Sequence, residues 1–303
     1  MTLGRNVHVA GVIPVANLET DHELETPACL TPVNTGFTAI QKSVFECALA
    51  GCQTIWIVAN QDLAPIVRKI VGDWIYDPVY YNRTKVKFYK EVRREIPIYY
   101  VPINDRDRDR RDSYGWSVLH GVNSAWWVAN KISKWLTPEK YFVSFPMAAY
   151  DIYSLREHRK EIADKKTNFF LIYNNKSMKD NLPLAFTMTG EDFILCRRNI
   201  NKLTTKEYLP PPPGKEYPSQ KLPFDQRWSA RNFKFDMIFD KVDSNESHIM
   251  SLNWFYDLSC WEEYRYFMGS KYLIEKPYKG LTGPHKHAKL IIEKEKDFGP
   301  QTV

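Results

Sequence analysis

The sequence predicts an α/β protein built on a doubly wound, mostly parallel sheet, with a less regular C-terminal part. Three observations carry that expectation. Short apolar runs alternate with amphipathic stretches at helical spacing through the first 165 residues. The composition, 44% hydrophobic and 26% charged over 303 residues, is that of a globular chain able to bury a sizeable core. Prolines and irregular spacing then break the alternation in the second half.

The elements follow in order. "VHVAGVIPVA" reads as a buried strand. "GFTAIQKSVFECALAG" sets Phe37, Ile40, Val44, Phe45, Ala48 and Leu49 at helical spacing, with Gly51 as the stop. "QTIWIVAN" gives a second strand, "DLAPIVRKIVGDW" a short helix and "IPIYYVPI" a third strand. "SVLHGVNSAWWVANKISKWL" is amphipathic, with Val118, Val122, Ala125, Trp126, Ala129 and Ile132 on one stripe. A fourth strand, "KYFVSFPMA", precedes a helix from about Asp151 to Ala163. Beyond it, "TNFFLIYNN" and "FILCRR" read as strands, and "SCWEEYRYFMGS" as a helix. "YLPPPPGKEYPSQKLPF" reads as an extended arm, because proline removes donors and fixes φ. This divides the chain into a core at 1–165, a mixed region at 166–270 that carries the arm at 208–223 and returns to the core, and a polar basic tail at 271–303.

Aromatic residues reach 14%, which suits either an aromatic core or surfaces that stack on sugars or bases. The net charge of +6 is spread along the chain, so it allows a nucleic-acid partner without implying one. Five cysteines without a CxxC pair or zinc spacing fit free, mostly buried thiols in a reducing compartment. No basic stretch followed by an apolar one opens the chain, and no apolar run reaches about 18 residues. The expectation is a soluble, cytoplasmic protein with no membrane partner. The run "NDRDRDRRDSYG", from Asn104 to Gly115, has two readings: a solvated loop of cancelling charges, or a lid whose Arg106, Arg108, Arg110 and Arg111 grip phosphates.

The loop after the first strand, "NLETDHELETPACLTPVNTG", sits where an α/β protein usually cradles phosphate, yet Glu19, Asp21, Glu23 and Glu25 occupy it and no glycine precedes its end at Gly36. The order of features from Pro14 through Pro27 and Pro32, followed by a helix and "AGCQTIWIV", resembles the nucleotide-diphospho-sugar transferases: sugar-phosphate nucleotidylyltransferases, cytidylyltransferases and GT-A glycosyltransferases. "YGWSVLHGVNSAWWVAN" resembles their G-x-x-x-A segment, with Gly115 in the glycine position, and "FYDLSCWEEYRYF" resembles a late segment whose aspartate is Asp257. The resemblance implies a Rossmann-like sheet of the GT-A or nucleotidyltransferase type. It also implies nucleotide contacts at Pro14, Val15, Ala16, Asn17, Gly115 and His120. The departures are specific. Asn17 and Glu19 replace the loop glycines, Asp21 stands near the arginine position, Ala28 replaces a lysine, and Pro146 replaces the metal-binding aspartate.

Two functions of different class follow. One is a transferase using a nucleotide or nucleotide-sugar donor through Mg²⁺ or Mn²⁺, with Asp151 and Asp257 as metal ligands, Glu19 or His120 as polar partners, and a sugar phosphate or modified nucleic acid as acceptor. In its structural reading Asp151 is a helix N-cap and His120 a packed ring. The other is a catalytically inactive protein of the same fold with a binding, regulatory or assembly role, meeting protein partners through the proline-rich arm.

Overall fold

The computed structural model describes residues 7–79, 95–205, 208–217, 220–223, 229, 232–276 and 282–283, except 17, 23, 105, 106 and 108–112. The tail segment "HKHAK" and the four arginines of the charge run lie outside the described residues.

The sheet grows outward from β1 (Val9–Pro14), whose six side chains are all buried. A strand buried on both faces must be covered by helices on both sides, and this one is. β1 pairs in parallel with β4 (Thr54–Asn60) and β7 (Lys140–Val143), and β4 pairs in parallel with β6 (Glu95–Ile103). Antiparallel strands flank this parallel centre. β10 (Phe186–Thr189) pairs with β7 and with β9 (Phe169–Ile172), while β5 (Trp74–Tyr76) pairs with β6. β11 (His248–Ser251) and β13 (Thr282–Gly283) close the two edges, giving nine strands in the order β11-β9-β10-β7-β1-β4-β6-β5-β13 among the described residues. A separate hairpin, β2 (Pro32–Asn34) with β3 (Phe37–Thr38), leads into the first helix. The regular centre and the irregular second half therefore share one sheet.

Helix α1 (Ala39–Ala50) starts at a capping box, Thr38 with Gln41, and stops at Gly51, whose φ of 92° lies in the left-handed region that favours glycine. It covers the face of β1 that presents Gly11, since a Cβ there would lie 2.8 Å from the Cys47 sulfur. Short α2 (Ala64–Val71) packs beside α1. The long helix α3 (Tyr114–Ile132) covers the opposite face: a Cβ on Gly121 would stand 2.7 Å from both Val12 and Val58. The sheet is doubly wound, as predicted. No helix of the described residues is long and apolar enough to cross a membrane.

Three elements differ from the sequence reading. The stripe of α3 is made by small residues: Ser117 and Gly121 are buried with Val118, Val122 and Ala125, whereas Trp126 and Ile132 are 43% and 68% exposed. Close helix–sheet approach selected against bulk there. "FILCRR" is not a strand but the middle of α5 (Gly190–Leu203), which begins at a Thr189–Asp192 capping box. The stretch from Asp151 to Ala163 is not one helix. Asp151 caps a 3₁₀ turn, Ile152–Arg156, and a separate short α4 (Arg159–Ile162) follows. The break lets Arg159 reach the end of α1, where Nε donates to Leu49 O at 2.7 Å while the guanidinium grips buried Asp77 with two bonds of 2.7 and 3.0 Å.

The centre of the molecule contains an ion pair. Lys42 and Glu46 on α1 are 0% exposed and 3.0 Å apart. The Lys42 ammonium also donates to Phe145 O at 3.1 Å and Ala148 O at 2.7 Å, and the Tyr150 hydroxyl donates to Glu46 Oε1. Burial, then the Glu46 charge, pushes the Tyr150 hydroxyl well above its usual range, so it stays a donor. Every charge-bearing group has partners, which is the condition for burying an ion pair without a large net penalty. We expect Lys42→Met to cost about 3–5 kcal/mol of folding stability by chemical denaturation, because it strands a buried carboxylate. Adding Glu46→Gln should recover part of that loss; additive losses would contradict the pair's role.

Candidate functional site

The C-terminal ends of β1, β4, β6 and β7 form one edge of the sheet, the place where open α/β sheets bind ligands. What stands at this edge follows from the two periodicities. Val12 and Val58 face α3 at Gly121, so two residues further along each strand Pro14 and Asn60 face α3 at the edge. One helical turn back from Gly121 toward that edge is Ser117. Asn60 Oδ1 and Ser117 Oγ are both buried and have no hydrogen-bond partner among the described residues. A buried polar atom left unpaired costs about 1–3 kcal/mol, so two at one place are a specific feature of the fold.

Beside them, on the β6 side of α3, Trp116 and His120 stack with ring centroids 5.0 Å apart and planes 11° off parallel. Burial of the His120 ring lowers its pKa from the ordinary value, against opposing contributions from a hydrogen bond to the Pro102 backbone and the Asp107 charge. The ring is therefore held neutral. Ser113 caps the helix by accepting from Trp116 N at 3.1 Å. Gly115 lies on the other flank of α3, against a neighbouring helix. A Cβ there would lie 2.5 Å from Ile238 Cδ1, because α6 (Phe235–Ile238) is seated directly on the start of α3. Tyr114 packs between Phe145 and Phe235, with centroids at 5.1 and 5.7 Å. Burial and the nearby Asp257 carboxylate hold its hydroxyl well above the usual range.

The acidic loop is fastened to the chain's far end. The amides of Val15 and Ala16 both donate to Val58 O, at 2.8 and 3.0 Å, and the side chains of Pro14, Val15 and Ala16 are buried. Further on, Asp21 N donates to Ser259 O at 3.0 Å, and the Asp21 carboxylate accepts from Trp261 N. Trp261 opens α7 (Trp261–Met268), whose own N-cap residue, Cys260, gives no side-chain cap. Asp21 supplies that cap from 240 positions away, with the sign of charge a helix N-terminus favours. His22 is buried beside it, its Nε2 3.0 Å from Leu258 O and its ring 5.7 Å from that of Tyr264. Loop and helix form a clasp.

The two metal candidates lie nearby in different settings. Asp257 belongs to β12 (Tyr256–Asp257), which pairs with β8 (Ala148–Ala149) immediately after the turn held by Lys42. Ser259 N and Oγ both donate to Asp257 Oδ1, at 3.0 and 2.6 Å, leaving Oδ2 outside those bonds. Asp151 is exposed and accepts from Tyr153 N at 3.1 Å, the N-cap geometry of its structural reading. Among the described residues no three of His, Cys, Asp and Glu gather into a metal-ligand set. Glu19 lies in the clasp loop, while Asn17, Arg106, Arg108, Arg110 and Arg111 fall outside the described residues. Asn60, Ser117 and Trp116 were not singled out from sequence. The signal for Asn60 was available, since a polar side chain ends an otherwise apolar strand.

No protein-family model matches the chain, and no curated protein matches it. Among solved structures, a chain described as a glucose-1-phosphate thymidylyltransferase from Bacillus anthracis, in complex with sucrose, superposes with a TM-score of 0.55 at 9% identity, over 89% of this chain and 98% of that one. A UDP-glucose pyrophosphorylase complexed with UDP-glucose aligns at a TM-score of 0.49 and 13% identity, over 87% and 97%. The first similarity shows a nucleotidyltransferase-like fold across nearly the whole chain.

The neutral His120 ring makes stability pH-dependent. With the folded value lowered, stability is fully present above about pH 6.5, the ordinary histidine value, and is lost as pH falls below it while the unfolded chain takes up the proton first. His120→Gln should flatten that decline in denaturation midpoints between about pH 7 and 5. An unchanged decline would show that the imidazole is not its source.

Proposed function

We propose that this chain is a nucleotide-sugar-related transferase that holds a nucleotide-type ligand at the sheet edge formed by β1, β4, β6 and the start of α3. The observation that carries the reading is the pair of buried, unpartnered polar atoms, Asn60 Oδ1 and Ser117 Oγ, beside the flat Trp116–His120 stack. A base or ribose offers the hydrogen bonds the first pair lacks and a ring face for the second. The nucleotidyltransferase-like fold supports the choice of ligand class. The phosphates are assigned to Arg106, Arg108, Arg110 and Arg111, which follow β6 in the chain, because the amides of Val15, Ala16 and Asp21 in the β1 loop are already engaged and its acids would repel a phosphate.

A divalent ion fits this arrangement in a limited way. Mg²⁺ is commonly held by one or two carboxylates together with ligand phosphates, and Asp257 Oδ2 is an available oxygen at this edge. Bound there, the ion would neutralise diphosphate charge. Asp151 remains the second candidate. The sugar-phosphate or modified nucleic-acid acceptor expected from the sequence has no residue assigned to it.

One observation favours the second reading, an inactive protein that keeps the fold for binding or assembly. The acidic loop stands where the family that the sequence resembles carries its phosphate-binding loop, and here its Asp21 caps α7. Thermal-shift titration with nucleoside diphosphates and nucleotide-sugars, with and without Mg²⁺ or Mn²⁺, separates the two. The transferase reading expects stabilisation of roughly 2.7 kcal/mol at a ligand concentration of about 100 times Kd. Asn60→Leu should then weaken binding by about 1–3 kcal/mol, roughly 5- to 150-fold. A flat response to every nucleotide leaves the inactive reading.

A further inference from the structure

We infer that the outward face of the α3–α5 helix pair docks on the surface of an anionic lipid bilayer, with Trp126 and Trp127 as its anchors. Two helices that hold each other build this face. Arg197 on α5 donates to Asn123 Oδ1 on α3 at 3.0 Å. Further along α5, Asn199 Nδ2 donates to Met237 O of α6 at 3.3 Å, and α6 is the helix seated on Gly115 at the start of α3. The two helices therefore run in opposite directions. Trp126 and Trp127, three and four residues beyond Asn123, then stand beside Ile194, which is three residues before Arg197.

These side chains turn outward. Trp127 is 55% exposed and Ile194 46%, and the apolar surface continues past Ile132 to the exposed Leu136 in the turn after α3. Single exposed apolar residues are ordinary, but bulk gathered on one helix pair marks a docking surface.

Charge selects the occupant. Lys131, Lys134, Arg197, Arg198 and Lys202 are all exposed on these elements. No acid occurs between 114 and 136, and of the two acids on α5, Glu191 and Asp192, the second is buried. An anionic bilayer answers both properties of the face. Its headgroups meet the basic side chains, each of which strengthens binding about fivefold near such a surface. Its interfacial layer takes indole rings, while the stems of lysine and arginine lie along apolar surface with their heads among the lipid headgroups. Single-stranded nucleic acid is a poorer match. It stacks its bases on open ring faces, whereas the Lys131 ammonium lies 5.5 Å from the Trp127 ring centre and Ile132, Leu136 and Ile194 offer a base no ring to stack on. No helix of the described residues can cross a bilayer, so the contact is one of surface docking. Roughly 14 Å of helix separates Ser117 from Trp126 at 1.5 Å per residue, which leaves the sheet edge with Asn60 and Ser117 free for its ligand.

Co-sedimentation of the full chain with phosphatidylcholine vesicles, alone or carrying about 30% phosphatidylserine, tests this. The wild type should pellet with the anionic vesicles and not with phosphatidylcholine alone, and added salt should weaken the binding. Trp126→Ser with Trp127→Ser should lower the partition coefficient roughly tenfold or more. Lys131→Gln with Arg198→Gln should lower it roughly 25-fold. All four residues are exposed, and circular dichroism checks that the variants fold. Lipids brominated in the acyl chain should quench the wild-type tryptophan fluorescence on binding, and the tryptophan variant should lose that quenching. No binding to anionic vesicles at low salt, binding indifferent to the tryptophan pair, or unchanged quenching would overturn the inference. So would a single-stranded oligonucleotide that binds more tightly than the vesicles and is released by the same substitutions.

Discussion

The geometry of the sheet edge depends on one buried cation. Lys42 is held by Glu46 and by the carbonyls of Phe145 and Ala148, and so fixes the turn that follows β7. That turn presents β8 to β12, Leu258 N bonds back to Met147 O at 2.7 Å, and the segment that receives Asp21 and His22 is thereby set in place. The Asp21 carboxylate of this acidic loop answers to a helix N-terminus. In this nucleotidyltransferase-like fold the loop after β1 is part of the packing between segments far apart in the sequence.

The amides of Val15 and Ala16 are both directed at Val58 O and Gly115 is covered by α6, while Asn60 Oδ1 and Ser117 Oγ, on the β4 side, are among the buried polar atoms without partners among the described residues. The neutral His120, stacked on Trp116, belongs to the same side.

Much of the fold was legible because hydrophobic period carries it. β1, α1, β4, α2 and β6 are local patterns with local stops, such as the Thr38 capping box and Gly51. The misread elements are those where local pattern and tertiary demand diverge. "FILC" has no period of its own, and the Thr189–Asp192 capping box upstream was the available sign of a helix. The exposed Trp126 and Ile132 show the limit of judging a helix face by bulk, since the sheet accepts α3 only where Ser117 and Gly121 let it approach. The clasp could not be read from sequence. Asp21 and Trp261 are 240 positions apart, and neither carries a motif that names the other.

The clasp is the central claim, and amide hydrogen exchange at Asp21 and Trp261 tests it most directly, with and without a nucleoside diphosphate and Mg²⁺. If the acidic loop is a structural fastening, both amides are protected in the free protein and the nucleotide leaves them unchanged. Rapid exchange that slows only when nucleotide is added would show instead that the loop still serves the phosphate.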